Sequence, residues 1–159
     1  MKKIAVFPGS FDPFTKAHED LVNRATQLFD HIYIAIGVNS AKKGLMSFEE
    51  RQLAIENLFA SNNQISVGSY TGLTVDYCRQ VEANYIVRGL RNSADFEFEN
   101  IIAQNNLLLA PDIQTYFLVS QSGLSHISST IVRDILLHGG DVQYLIPEAI
   151  YNYIKSSQF

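Results

Sequence analysis

The sequence predicts a single α/β domain over residues 1–159, built on a five-stranded, doubly wound parallel sheet. Strand-like and helix-like segments alternate along the whole chain. The principal strand segments are short, nearly continuous apolar runs, as expected of strands covered on both faces. Each is followed by enough chain for a crossover helix, which a parallel neighbour requires.

Ile4-Ala5-Val6-Phe7 forms the first strand, and Pro8 and Gly9 are expected to stop it. Thr15 can cap a helix whose core stripe is Leu21, Val22, Ala25, Leu28 and Phe29, with His18 in its first turn. His31 to Val38 is the second strand. Ser47-Phe48-Glu49-Glu50 matches a capping box and opens a helix carrying Ala54, Ile55, Leu58 and Phe59. Ile65 to Tyr70 is a weaker strand, and Leu73 to Glu82 a short helix with Val75, Cys78 and Val81 on one side. Tyr85 to Arg88 makes the fourth strand, with Gly89 placed to free the backbone after it. A helix from about Ala94 to Leu109 ends before Pro111, and Thr115 to Val119 is the fifth strand. Ser129 to His138 forms a helix stopped by Gly139-Gly140, and Pro147 takes the first position of a C-terminal helix.

Composition narrows the function classes. Hydrophobic residues at 47% and charged ones at 18% fit a compact folded chain and exclude a disordered one. A net charge of −4 argues against general affinity for nucleic acid or an anionic membrane. Cys78, the single cysteine, leaves no intramolecular disulfide, and no leader-like segment is recognised, so a cytoplasmic location is expected. No apolar run approaches the roughly 20 residues of a membrane span.

In doubly wound sheets, ligands bind beyond the carboxyl ends of the strands. Polar residues gather at those places: Ser10 and His18, Lys42 and Lys43, Thr71 and Thr74, Arg88 and Arg91, and the stretch Ser120 to Thr130. His18 is either a structural helix residue or a donor, charged or neutral, beside a phosphate at the helix start. Lys42-Lys43 is either a solvated pair or an ammonium bridging two phosphorylated reactants. Arg88-Gly89-Leu90-Arg91 can aim two guanidinium groups at one anion, or can form surface ion pairs. In Ser125-His126-Ile127-Ser128-Ser129-Thr130 one hydroxyl caps a helix, and the remainder suit a triphosphate. Glu97 and Glu99 can be helix-face charges. His31, His126 and His138 have no comparable placement, except that His126 lies in the last polar loop. No Walker loop, zinc spacing or nucleophile triad occurs, which points to transfer at an α-phosphate.

Phe7-Pro8-Gly9-Ser10-Phe11-Asp12-Pro13, Thr15-Lys16-Ala17-His18, Arg88-Gly89-Leu90-Arg91, Ala94-Asp95-Phe96-Glu97 and Ile127-Ser128-Ser129-Thr130 together resemble the nucleotidylyltransferases with a (T/H)-x-G-H signature. Among these, the blocks and their order are similar to the bacterial phosphopantetheine adenylyltransferase family, almost end to end. The resemblance implies a Rossmann-like fold and reversible, Mg²⁺-dependent transfer of AMP from ATP to 4′-phosphopantetheine by in-line attack, without a covalent enzyme intermediate. It implies a catalytic set of His18, Lys42, Ser10 and Arg91. An ATP site would comprise Ser10, Phe11, His18, Gly89, Leu90, Arg91, Glu99, Leu124, Ser125, His126, Ile127, Ser128, Ser129 and Thr130. Phosphopantetheine would meet Ser10, Lys42, Thr74 and Arg88. Mg²⁺ would arrive with ATP, coenzyme A would act as a feedback ligand, and the assembly would be a homohexamer. Ala17 stands where the signature has glycine, Ser10 where threonine is commoner, Ser40 and Gly44 where prolines often flank the lysine, and Leu124 where an aromatic is frequent. The nearest alternatives are a nucleotidylyltransferase acting on nicotinate mononucleotide or glycerol phosphate, and a non-catalytic nucleotide or coenzyme A sensor.

Overall fold

The computed structural model describes residues 1–38 and 44–157. Five strands, β1 (Ile4–Gly9), β2 (His31–Gly37), β3 (Ile65–Tyr70), β4 (Tyr85–Leu90) and β5 (Gln114–Val119), form one parallel sheet in the order β3-β2-β1-β4-β5. The described helices are α1 (Lys16–Ala25), α2 (Phe48–Leu58), α3 (Thr74–Gln80), α4 (Ser93–Leu109), α5 (Ser129–Leu137) and α6 (Glu148–Ser156). Alternation along the strands feeds two cores. Ala5, Phe7, Ile32, Ile34 and Ile36 pack with residues of α1, α2, α5 and α6, whereas Val6, Ala35 and Ile86 pack with α3 and the segment after α4.

The chain reverses its direction of winding between β1 and β4. β1 pairs with β2 all the way from Ile4–His31 to Gly9–Ile36, but with β4 only at Ala5–Tyr85 and Val6–Ile86. The two central strands therefore part beyond Val6, at their carboxyl ends, where a ligand crevice belongs.

This parting explains the first departure from expectation. Pro8 and Gly9 do not stop β1; both are paired with β2. Proline's missing N–H falls on the β4 side, where the ladder has already ended, and the Pro8 carbonyl on that side accepts from the Arg88 guanidinium.

Strand four likewise runs past Arg88, with Gly89 and Leu90 paired to Leu118 and Val119. Gly89 is required by a close approach, since a Cβ there would stand 2.3 Å from Leu21 Cδ1 of α1. Leu28 is another correction. α1 ends at Ala25, the chain turns toward β2, and Leu28 points outward at 50% exposure while Phe29 stays buried. Pro147, expected at the first helical position, is instead the N-cap of α6, and Glu148 takes that first position.

α4 is apolar on its outer surface: Phe98, Ile101 and Leu108 are exposed, and Glu99 is its one buried residue. Gly89→Ala should lower stability by about 1–3 kcal/mol through overpacking. Urea unfolding in parent and Leu21→Ala backgrounds checks this: the glycine substitution costs less without Leu21, and equal cost in both would remove the contact as its cause.

Candidate active site

The parted ends of β1 and β4 open a cleft of about 290 Å³. Its floor is Pro8, Gly9 and Ser10, and the starts of α1 and α5 border it with His18 and with Ser128, Ser129 and Thr130. Arg88, Arg91, Asp95 and Glu99 make another wall. Two helix starts, with the positive ends of their dipoles, and two guanidinium groups together suit a polyanion.

Thr15 and His18 form the N-terminal box of α1. The Thr15 hydroxyl accepts from the His18 backbone N–H at 3.3 Å, and His18 Nδ1 accepts from the Thr15 backbone N–H at 3.0 Å. A backbone N–H can only donate, so the proton of the neutral ring is on Nε2. Phe7, Phe11 and Phe14 surround the imidazole; Phe11 meets it edge-on at 5.1 Å. Burial, then the nearby charges of Arg88 and Arg91, hold its pKa down at about 3. The side chain is thus a neutral Nε2–H donor.

The two arginines are held by acids from α4. Arg88 Nε and Nη2 bind the Glu99 carboxylate at 2.8 and 2.5 Å. Arg91 Nε and Nη2 bind Asp95 at 2.9 and 3.2 Å, and this hydrogen bonding keeps the Asp95 carboxyl below its usual range. Glu99 is therefore no helix-face charge, whereas Glu97 is exposed. Among the described residues no three His, Cys, Asp or Glu side chains gather as a metal cage.

The hydroxyls after β5 divide their work. Ser128 caps α5 by accepting from the Ile131 N–H, Ser129 donates to the Pro13 carbonyl at 2.8 Å, and Thr130 accepts from Arg133. Ile127 to Thr130 line the cleft, but Leu124, Ser125 and His126 do not, and Ser125 and His126 are exposed. Leu90 is buried at the end of β4, outside the lining. Ser10, Phe11, Gly89, Arg91 and Ala17 are all in it. Ala17 is ordinary helix within α1, so its methyl adds to the wall without backbone cost.

A second cleft of about 170 Å³ shares Pro8, Gly9, Arg88 and Glu99 with the first and extends past Thr74, Ile86, Ile102 and Asn106. Thr74 is thus across the Arg88–Glu99 pair from His18. Lys42 lies outside the described residues.

Sequence reasoning did not find what holds the turn after β1. Asp12 is buried, accepts from the Leu45 and Met46 N–H groups at 2.8 and 2.9 Å, and pairs with Arg51 Nε at 3.2 Å. Arg51, also buried, donates to the carbonyls of Met46 and Ser10, and Arg133 donates to that of Asp12. One signal was available. Arg51 is three and four residues before Ala54 and Ile55, on the core stripe of α2, where a charge demands a buried partner. Gly44 leaves room for this pair, because a Cβ there would stand 2.0 Å from Arg51 Nη2.

The profile of the cytidylyltransferase-like family matches residues 6–135. The chain is 51% identical to the phosphopantetheine adenylyltransferase of Flavobacterium johnsoniae, over 92% of this chain and 95% of that protein. The enzyme of the same name from Christiangramia forsetii is 47% identical over 94% and 98%, and that from Leptospira biflexa 45% over 94% of each.

His18 should stay neutral from about pH 8 to pH 5, with no ring protonation by NMR; a midpoint near 6.5 would overturn its assigned state. The unfolded chain binds that proton near 6.5 and the folded one does not, so this residue's contribution makes stability fall as pH drops from 6.5 toward 3.

Proposed function

The chain belongs to the cytidylyltransferase-like family and, within it, to the phosphopantetheine adenylyltransferases, and on that footing we propose that it transfers the adenylyl group of ATP reversibly to 4′-phosphopantetheine, giving dephospho-coenzyme A and pyrophosphate. The observation that carries this reading is the pair of clefts joined at the Arg88–Glu99 wall. The first, with its helix starts and guanidinium groups, suits the triphosphate. The second is narrower, apolar at Ile86 and Ile102 and polar at Thr74 and Asn106, which suits an amide-bearing arm. A phosphate at the end of that arm would meet the α-phosphate of ATP at the shared wall.

In the proposed reaction an oxygen of the acceptor phosphate attacks the α-phosphorus, the new P–O bond forms as the bond to the bridging oxygen breaks, and pyrophosphate leaves. No protein nucleophile is needed, because positioning and charge neutralisation supply the rate. His18 would donate its Nε2–H to an α-phosphoryl oxygen and gain strength as charge builds there. A ring with a pKa of about 3 is a poor base at neutral pH, so the role is donation and not proton abstraction.

Arg91 and the start of α5 would hold the β and γ phosphates. Arg88, Ser10 and Lys42 would hold the attacking phosphate, and Thr74 the arm. Mg²⁺ enters with ATP as part of the co-substrate; both carboxylates lining the first cleft are tied to arginines, so the described residues do not form a cage for it. Coenzyme A, which joins both halves of the product, would compete for both clefts. A homohexamer belongs to the same proposal, supported by the exposed apolar surface of α4. So does a cytoplasmic location; no described helix is long and apolar enough to cross a membrane.

Pyrophosphate release from Mg-ATP with 4′-phosphopantetheine, with nicotinate mononucleotide, or with no acceptor tests the activity. Release is expected with phosphopantetheine alone; binding without release in all three arms would make the chain a sensor. His18→Ala should lower kcat by about 10²–10³, the loss typical of one transition-state donor, and change the KM for ATP little. Equal kcat in variant and parent would remove His18 from the mechanism.

A further inference from the structure

Neutralising Asp12 would need only one cationic nitrogen beside its carboxylate, yet residue 51 is an arginine whose whole fork is used. Nε and Nη2 both donate to the Met46 carbonyl, at 3.0 and 2.8 Å, and Nε is 3.2 Å from the Asp12 carboxylate. Cζ lies over the Phe48 ring, 4.8 Å from its centroid, and Gly44 approaches Nη2 so closely that a Cβ there would stand 2.0 Å away. A planar group gripped in this way has one orientation. Nη1 is therefore aimed in a single direction, where it donates to the Ser10 carbonyl at 3.2 Å. Ser10 is the first residue after β1, so no strand ladder sets the direction of that carbonyl. The Ser10–Phe11 peptide is trans and planar, which makes its C=O and N–H point opposite ways. With the carbonyl turned toward Arg51 of α2, the Phe11 N–H is turned away from α2. Ser10 and Phe11 both line the first cleft, and Arg51 lines neither cleft.

We propose that Arg51 is a positioning residue of the transfer step: through the Ser10 carbonyl it fixes the Ser10–Phe11 peptide, so that the Phe11 N–H is held toward the reacting phosphates. The inference rests on the adenylyl-transfer reading above. A backbone donor whose direction is preset needs no reorganisation as charge builds on a phosphoryl oxygen. A small tilt of the peptide would misplace that donor and the Ser10 hydroxyl together. Lysine at position 51 could still neutralise Asp12, but one nitrogen on a flexible stem lacks the fork that ties Met46 to Ser10.

The test compares steady-state pyrophosphate release from Mg-ATP and 4′-phosphopantetheine in parent, Arg51→Lys, the double variant Asp12→Asn/Arg51→Gln, and Ile55→Val, with thermal unfolding of each. At a temperature where the variant is fully folded, Arg51→Lys should lower kcat by about ten- to a hundredfold and change either KM by less than about threefold. Ile55→Val trims a buried residue of the same helix, and should lower the unfolding midpoint while kcat stays within about twofold of the parent. The double variant replaces the ion pair by two neutral amides, leaves no lone buried charge, and makes residue 51 too short to reach Ser10. It should lose kcat as Arg51→Lys does, and it carries the test should the lysine variant not fold. A kcat equal to the parent's in the folded position-51 variants, with only the unfolding midpoint lowered as in Ile55→Val, would make Arg51 purely structural and overturn this role alone. A parent that releases no pyrophosphate with phosphopantetheine would overturn the activity reading and this role together.

Discussion

The buried ion pair between Asp12 and Arg51 is the constraint on which the site depends. A strand that parts from its neighbour leaves the following turn without sheet pairing, and that turn must carry Ser10 and deliver the chain to the start of α1. Asp12 satisfies two N–H groups beyond β2, Arg51 ties down the Ser10 and Met46 carbonyls, and Arg133 and Ser129 bring α5 onto the same turn. Two stretches remote in sequence, 45–51 and 129–133, thereby meet at one short loop. Both charges are nearly fully buried, so removing either partner alone would leave the other uncompensated, a loss of about 3–5 kcal/mol in comparable sites. The pair's value is geometric more than energetic: it fixes where the two helix starts stand relative to each other.

Within that frame the polar groups are oriented before any ligand arrives. Thr15 holds His18 Nδ1, so Nε2–H is the group left to donate, and Phe11 and Phe14 pack against the ring. Phe11 reaches that cage from a left-handed backbone, φ 47°, and its ring lies over Gly9, where a Cβ would stand 2.7 Å away. Glu99 and Asp95 hold the two arginines in fixed directions at the cost of some positive charge. A triphosphate and a phosphate monoester bring several negative charges of their own, so cations already oriented and only partly neutralised suit both reactants. Burial first, and then the same two guanidinium charges, depress His18, so a neutral donor stands beside them instead of a third positive charge.

Much of this was legible locally. Thr15 as a cap, and Ser47 followed by Glu50 as a capping box, announce helix starts because caps act over three residues; both boxes form, His18 being the partner at Thr15 that only the structure showed. The strand runs were readable because a sheet covered on both faces needs unbroken apolar character. The failures share one cause. Pro8 and Gly89 carry strong local meanings, a stop and a hinge, yet each takes its role from a neighbour: Pro8 from the strand that departs, Gly89 from Leu21 across a helix. Leu28 suited the stripe of a longer α1, but the turn into β2 ended the helix first.

By itself, then, the sequence determined the five strands, the helices between them and the kinds of residue that collect at the strand ends, because periodicity, caps and apolar runs act over a few residues. It also carried the motif blocks by which the family is known. Tertiary structure decided which of those residues face one another. Arg88 and Glu99 are eleven positions apart and Asp12 and Arg51 thirty-nine, and nothing in local spacing says that a carboxylate will meet a guanidinium across a cleft. That meeting depends on where β1 and β4 part, a property of strand order, and strand order is set only when all the elements pack at once.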